Sequence, residues 1–185
     1  MQELSLNILD IAQNSVRADA TLIGISVEAD TVTDRLTITI TDNGCGMSAE
    51  TVAGVMDPFY TTRTTRKVGL GISFFRLAAQ QTGGDLTVES ELGKGTKVTA
   101  WFTLGHIDLA PVGDLEGTVT GLVQCNPDID FVFTHTTDNG SFTLDTRELR
   151  AVLEGVSLDT PDVLEWISAY LKEQSQIIYG GADNQ

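Results

Sequence analysis

The sequence predicts an α+β protein, in which helices and antiparallel strand pairs follow one another in blocks. Three observations carry this. Residues 2–18 place Leu4, Ile8, Ile11 and then Ser15 at spacings of four and three, the period of one helix face, and Leu9, Ala12 and Val16 widen it. Two pairs of β-rich runs, 21–29 with 35–42 and 85–90 with 96–104, are each joined by a short polar turn. A third pair alternates on both sides of Asn139-Gly140, a dipeptide suited to a tight hairpin.

Taken in order, the first helix is followed by "TLIGISVEA" and "RLTITITD", separated by "DTVTD". "SAETVAGVM" makes a short helix with Ser48 as its N-cap and stops before Pro58. "DPFYTTRTTRKVGLG" has no period and reads as a loop. "ISFFRLAAQQTGG" is a helix closed by Gly83-Gly84, followed by "DLTVES", the turn "ELGKG" and "TKVTAWFTL". The first unit is therefore αββα, then αββ. After Gly105 come a helix over "LEGTVTGLVQ", the hairpin, "DTRELRAVL" with Asp145 three residues before Glu148, and "TPDVLEWISAYLKEQ" with Pro161 at its first position. This divides the chain into a unit over residues 1–105 and a small α+β appendage over 106–185, with a frayed tail at "YGGADNQ".

With 41% hydrophobic residues, a chain of 185 can bury one good core, or one core and a small appendage. The net charge of −15 argues against nonspecific binding to nucleic acid or anionic lipid. There is no apolar run of about 18 residues to span a membrane, and "MQELSLNILD" lacks a basic leader region, so the expectation is a cytoplasmic protein. Cys45 and Cys125 have neither C-x-x-C spacing nor a histidine cluster, and they read as reduced thiols.

"DNG" occurs twice. At 138–140 it sits between alternating strands and reads as a hairpin; at 42–44 a helix follows, so a different reason is needed. Gly44 and Gly46 suit a sharp turn or a close approach to a ligand, and Asp42 would point its carboxylate into the opening. Three further features bear on this. Glu3, Asn7, Asp10, Asn14 and Arg17 share one helix face, either as a solvated stripe or, at Asp10 and Asn14, as oxygen donors for a hard cation. Gly69 and Gly71 in "KVGLGIS" let backbone amides approach an anion at a helix start, although the run matches neither a dinucleotide fingerprint nor a Walker A loop. "GKGT", 93–96, is either an ordinary hairpin turn or part of a site.

"LDIAQNSVRADA", "DNGCGM", "DPFYTTR", "GLGIS" and "GKGTKV", in this order, resemble the ATP-binding domain shared by gyrase-type topoisomerases, heat-shock chaperones, sensor histidine kinases and mismatch-repair ATPases. The likeness covers residues 3–104. It implies a two-layer α/β sandwich of the Bergerat type, with a mixed, mostly antiparallel sheet and helices on one face. It also implies ATP and Mg²⁺ as cofactors. By resemblance, Asn14 is the Mg²⁺ ligand, Asp42 accepts a hydrogen bond from the adenine amino group, and Gly44, Gly46 and Met47 line the base. Phe59 opens a lid at about residues 57–68 and Arg63 meets phosphate within it. Gly69, Leu70 and Gly71 form the second glycine box, and Gly95 and Thr96 the last turn of the domain.

Asp10 stands where hydrolytic members carry a glutamate base and sensor histidine kinases usually carry asparagine. It is the expected base, one methylene shorter, the alternative being that it only orients Asn14. Sensor histidine kinases also carry a phosphoacceptor histidine on a helix before this domain, whereas six residues precede Asn7. His106 and His135 read as structural, so any acceptor is expected on another chain. The appendage resembles that of small ATP-binding proteins of anaerobic bacteria encoded among subunits of iron-only hydrogenases or NADH-oxidising complexes, which implies a protein partner. The resulting expectation is a Mg-ATP-binding regulatory protein with slow ATPase activity and a relaying lid. The alternatives are a kinase acting in trans on a Ser, Thr or His of a partner, and a non-catalytic nucleotide-binding subunit.

Overall fold

A computed structural model describes residues 2–57 and 70–180. Its elements run α1 (Leu4–Arg17), β1 (Leu22–Asp30), β2 (Arg35–Asp42), α2 (Ala49–Val55), α3 (Leu70–Gln81), β3 (Asp85–Glu91), β4 (Gly95–Thr103), α4 (Leu115–Cys125), β5 (Asp130–Thr137), β6 (Gly140–Asp145), α5 (Thr146–Leu153) and α6 (Pro161–Ile178). The strands form one open sheet in the order β3-β4-β2-β1-β5-β6. Every neighbouring pair is antiparallel except β1 with β5. The α+β class and the mixed, mostly antiparallel sheet are as the sequence predicts.

Register explains why one face is dry. Val98 lies opposite Ile40, Ile40 opposite Ile25, Ile25 opposite Phe133 and Phe133 opposite Leu144, so period-2 alternation in five strands puts their apolar residues in one row. These five are buried, as are Leu4, Ile8 and Ile11 of α1, Ile72 and Phe75 of α3, Val119 of α4 and Ile167 of α6, which cover them. Ser26, Thr37, Thr39 and Thr99, which alternate with the buried positions, give the opposite face its polar character.

The sheet does not stop at residue 105. A parallel neighbour must be reached by a crossover, and α4 supplies it, carrying the chain from β4 past β2 and β1 to lay β5 against β1. Residues 106–180 thus extend the first unit's sheet and share its core. The first amides of α1, which has no side-chain cap, are taken by this same stretch: Leu4 N donates to the Pro111 carbonyl (3.0 Å) and Ser5 N to that of Val112 (2.8 Å).

Local signals act as read in most places. The Ser48 hydroxyl caps α2 by accepting from Thr51 N (3.2 Å), Gly83 takes a positive φ of 78° after α3, and Pro161 opens α6. Asp145 caps α5 through Arg147 N (2.9 Å). In the β5–β6 hairpin the turn falls on Asp138–Asn139 and Gly140 already pairs with Thr137, one residue earlier than the dipeptide implies. The tail expected to fray from Tyr179 is held at its start, where Tyr179 N donates to the Ser175 carbonyl (3.1 Å) and the Tyr179 hydroxyl meets His135 Nε2 (3.0 Å); residues 181 onward lie outside the described residues.

Candidate functional site

The loop after β2 is held by three neighbours. The Asn43 amide oxygen accepts from Thr21 N (2.8 Å) and Leu22 N (3.0 Å) at the start of β1. Cys45 N donates to the Ala18 carbonyl at the end of α1 (2.9 Å), and Gly93 N in the β3–β4 turn donates to the Cys45 carbonyl (2.7 Å). "DNG" here therefore laces α1, β1 and the β3–β4 turn together, where a hairpin turn would only reverse the chain.

These elements enclose a cavity of about 440 Å³. Ile11, Ile40, Met47, Val55, Ile72 and Val98 give it apolar walls. Its polar lining includes Asn14, Ser15, Arg17, Asp42 and Thr96. Of the residues singled out from the sequence, Asn14, Asp42, Gly46, Met47 and Thr96 thus meet at one cavity, although they come from α1, β2, the loop after it and β4.

Asp42 is held through both carboxylate oxygens. Oδ1 accepts from Gly44 N (2.9 Å) and Oδ2 from the Ser15 hydroxyl (2.5 Å). A carboxylate has roughly four acceptor positions, so two remain to receive a donor from a ligand in the cavity. Ser15 and Arg17 were not among the expected site residues. The hydroxyl of Ser15 is buried on the apolar side of α1, where its spacing from Ile11 made it read as one more core position. Arg17 is the cation among the described lining residues, and its Nη1 donates to the Asn14 amide oxygen (3.2 Å). The expected polar stripe of α1 is split, because Asn7 is buried while Asp10 is exposed.

The glycines allow a sharp turn and close approach, as expected, and what approaches them is also the protein's own backbone. A Cβ on Gly44, which is buried, would lie 2.6 Å from the Ala18 carbonyl oxygen. One on Gly46, where φ is 68°, would lie 2.0 Å from that of Glu91. Both clashes are with protein backbone, so these positions let the loop close onto α1 and the β3–β4 turn. Gly95 repeats the pattern: φ is 104° and a Cβ would sit 2.0 Å from the Asp42 carbonyl oxygen. "GKGT" is thus a turn that braces the site, and Thr96 pairs with Asp42 across β4 and β2.

Asp10 and Gly71 sit outside the cavity lining. They face each other across α1 and α3, where a Cβ added to Gly71 would lie 3.4 Å from that of Asp10. Leu70 begins α3 and is 52% exposed. Phe59, Arg63 and Gly69, and the expected lid apart from Asp57, lie outside the described residues. Asn14 and, one helical turn before it, Asp10 offer hard oxygen donors, a set that fits Mg²⁺ better than a soft metal.

His135 is buried among Phe133, Phe142 and Tyr179, and its Nε2 meets the Tyr179 hydroxyl at 3.0 Å. Burial pushes its pKa below the ordinary histidine value, partly opposed by the charge of Glu116. His106 accepts from Asp108 N in a turn (3.1 Å).

The family model for histidine kinase-, DNA gyrase B- and HSP90-like ATPases matches residues 1–106. The chain belongs to this family. Among its relatives, a putative sensor protein of Shewanella frigidimarina is 35% identical over 109 residues, 58% of this chain and 17% of that protein. The sensor histidine kinase ZraS of Salmonella typhimurium is 35% identical over 96 residues, 51% of this chain and 20% of the kinase. The chain thus spans about a fifth of the length of these relatives. Among solved structures, the N-terminal domain of a DNA repair protein superposes with a TM-score of 0.54 at 16% identity, covering 78% of this chain and 52% of that one, a likeness of fold. The cavity between α1, β2 and the glycine loop lies wholly within the residues that the family model matches. Among the described residues no helix is long and apolar enough to cross a membrane.

Proposed function

We propose that the protein is a Mg-ATP-binding regulatory protein with slow ATPase activity, which passes its nucleotide state to a protein partner through the lid expected at residues 57–68. The observation that carries this is Asp42: a carboxylate fixed at both oxygens on the wall of an apolar cavity that Asn14 also lines. A flat base would lie between Ile40, Met47 and Val98 and give its amino hydrogen to Asp42. Guanine, which presents a carbonyl oxygen at that position, would set acceptor against acceptor. Asn14 would hold Mg²⁺, which offsets the charge of the triphosphate. Arg17, already against Asn14, adds a cation at that end of the pocket.

Asp10 lies one turn before Asn14 and outside the cavity lining, so it would orient or deprotonate a water from the rim. Its exposure and short reach are consistent with slow turnover. Phosphate release from Mg-ATP should vanish in Asp10→Asn while titration calorimetry still shows ATP binding; unchanged release would remove Asp10 from this role.

The names of the relatives favour a second reading, phosphotransfer to a partner in trans. Label from γ-labelled ATP appearing on a co-purified protein, and not as free phosphate, would select it.

A further inference from the structure

A second groove, of about 580 Å³, lies at the far edge of the sheet between β6, α5 and α6. β1 and β5 separate it from the strands of the nucleotide pocket. Its floor is aliphatic, with Leu144, Leu149, Leu153 and Val163. On its walls two large apolar side chains are left out in solvent: Val152 is 80% exposed and Trp166 51%. Trp166 is stacked on Tyr170, with ring centroids 5.2 Å apart and planes 8° from parallel. Tyr170 is fixed in turn, its hydroxyl donating to the Thr143 carbonyl (3.2 Å). A rigid aromatic pair beside an open aliphatic trough is the anatomy of a contact surface.

The charged side chains that line the groove among the described residues are all acidic. Asp145, Glu148 and Asp162 line it, and no Lys or Arg does among the described residues. The two arginines of α5 are engaged: Arg147 pairs with Asp145 at 2.7 Å and Arg150 with Asp130 at 2.7 Å. That leaves Glu148 and Asp162 as the carboxylates facing an incoming group.

We infer that this groove docks an amphipathic, basic helix of a partner protein. An aliphatic side chain would enter beside Val152 and Leu149, and a Lys or Arg would lie over Trp166 within reach of Glu148 and Asp162. Two alternatives are disfavoured on chemistry. A strand adding to the β6 edge would have to share the Thr143 carbonyl with the Tyr170 hydroxyl that already donates to it. A second copy of this chain would bring another molecule of charge −15 against a carboxylate-lined trough. Opposite charge on the partner, by contrast, would speed encounter and fix its orientation.

The groove lies apart from the ATP pocket, so the test is independent of nucleotide binding. Trp101→Phe removes the other tryptophan, so that fluorescence reports on Trp166 alone. The probe is a leucine–lysine amphipathic peptide of about four helical turns, with a leucine–glutamate peptide of equal length as control. The lysine peptide should shift the emission of Trp166 to the blue, and the glutamate peptide should not. Glu148→Gln with Asp162→Asn should weaken binding and flatten its dependence on salt.

The deciding variant is Val152→Asp. It adds negative charge at a side chain too exposed to matter for folding, so mere charge attraction would tighten binding, whereas docking in the groove should weaken it by about tenfold or more. Equal or tighter binding by Val152→Asp, or equal binding of the glutamate peptide, overturns the proposal. So does sedimentation showing that the chain self-associates and that Val152→Asp abolishes it, which would make the occupant a second copy.

Discussion

Asp42→Asn tests the nucleotide pocket most directly, because it turns one acceptor oxygen into a donor, removes the charge and leaves the shape of the side chain unchanged. In the native site Gly44 N and the Ser15 hydroxyl fix the carboxylate from two sides. In the variant the amide oxygen keeps the bond from Gly44 N, and the hydroxyl of Ser15 can rotate to accept from the new NH₂ group. The loop therefore stays in place, but the edge facing the base now offers a donor to a donor. A hydrogen bond to a charged group is worth about 1.5–3 kcal/mol, so the Kd for Mg-ATP should rise by about 10- to 150-fold. GTP, whose carbonyl can now be met, should lose little, and the preference for ATP should shrink. Titration calorimetry with both nucleotides measures this, with an unchanged urea midpoint as the control for folding. An ATP Kd within about twofold of the native value would show that Asp42 does not read the base.

Ser15→Ala should weaken Mg-ATP binding by roughly three- to tenfold, from a lost bond of about 1 kcal/mol, with Ser15→Thr restoring part of it. Phe133→Ala, in the middle of the sheet and 1% exposed, should cost about 3–5 kcal/mol and lower the urea midpoint reported by Trp101 on β4 and by Trp166 on α6 together; two separate transitions would contradict a shared core. His135 makes stability depend on pH. Its pKa is depressed in the folded protein, so below about 6.5 the unfolded chain takes up a proton that the folded one does not. Stability should therefore fall as pH drops through that value, by at most about 1.4 kcal/mol per pH unit. The urea midpoint of His135→Phe should lack this step between pH 7.5 and pH 5.5.

Signals that act within a few residues could be read from the chain; those that act across it could not. Helix periodicity, the Ser48 and Asp145 caps and the alternating strands place most element boundaries within about two residues of the sequence reading, although α6 runs four residues past its expected end at Gln174. Asn14 and Asp42 stood out because a mid-helix asparagine, and an Asp-Asn-Gly without a second strand, are locally unusual. Ser15 did not, because its spacing is that of the apolar face and its reason lies 27 residues away in Asp42. Gly46 was visible as a glycine, but the carbonyl of Glu91 that requires it is distant in sequence. The parallel pairing of β1 with β5 has no local signature either. Leu22–Asp30 alternates equally well as an edge or an inner strand, and only the exposed hydrogen-bonding edge of β1 calls for a partner.

The family likeness ends near residue 106, yet the amides of Leu4 and Ser5 are bound by Pro111 and Val112. The helix that presents Asn14 to the pocket is thereby moored at its base to the connector that launches α4. On the function proposed above, a protein bound to the C-terminal third would act on the nucleotide through this mooring.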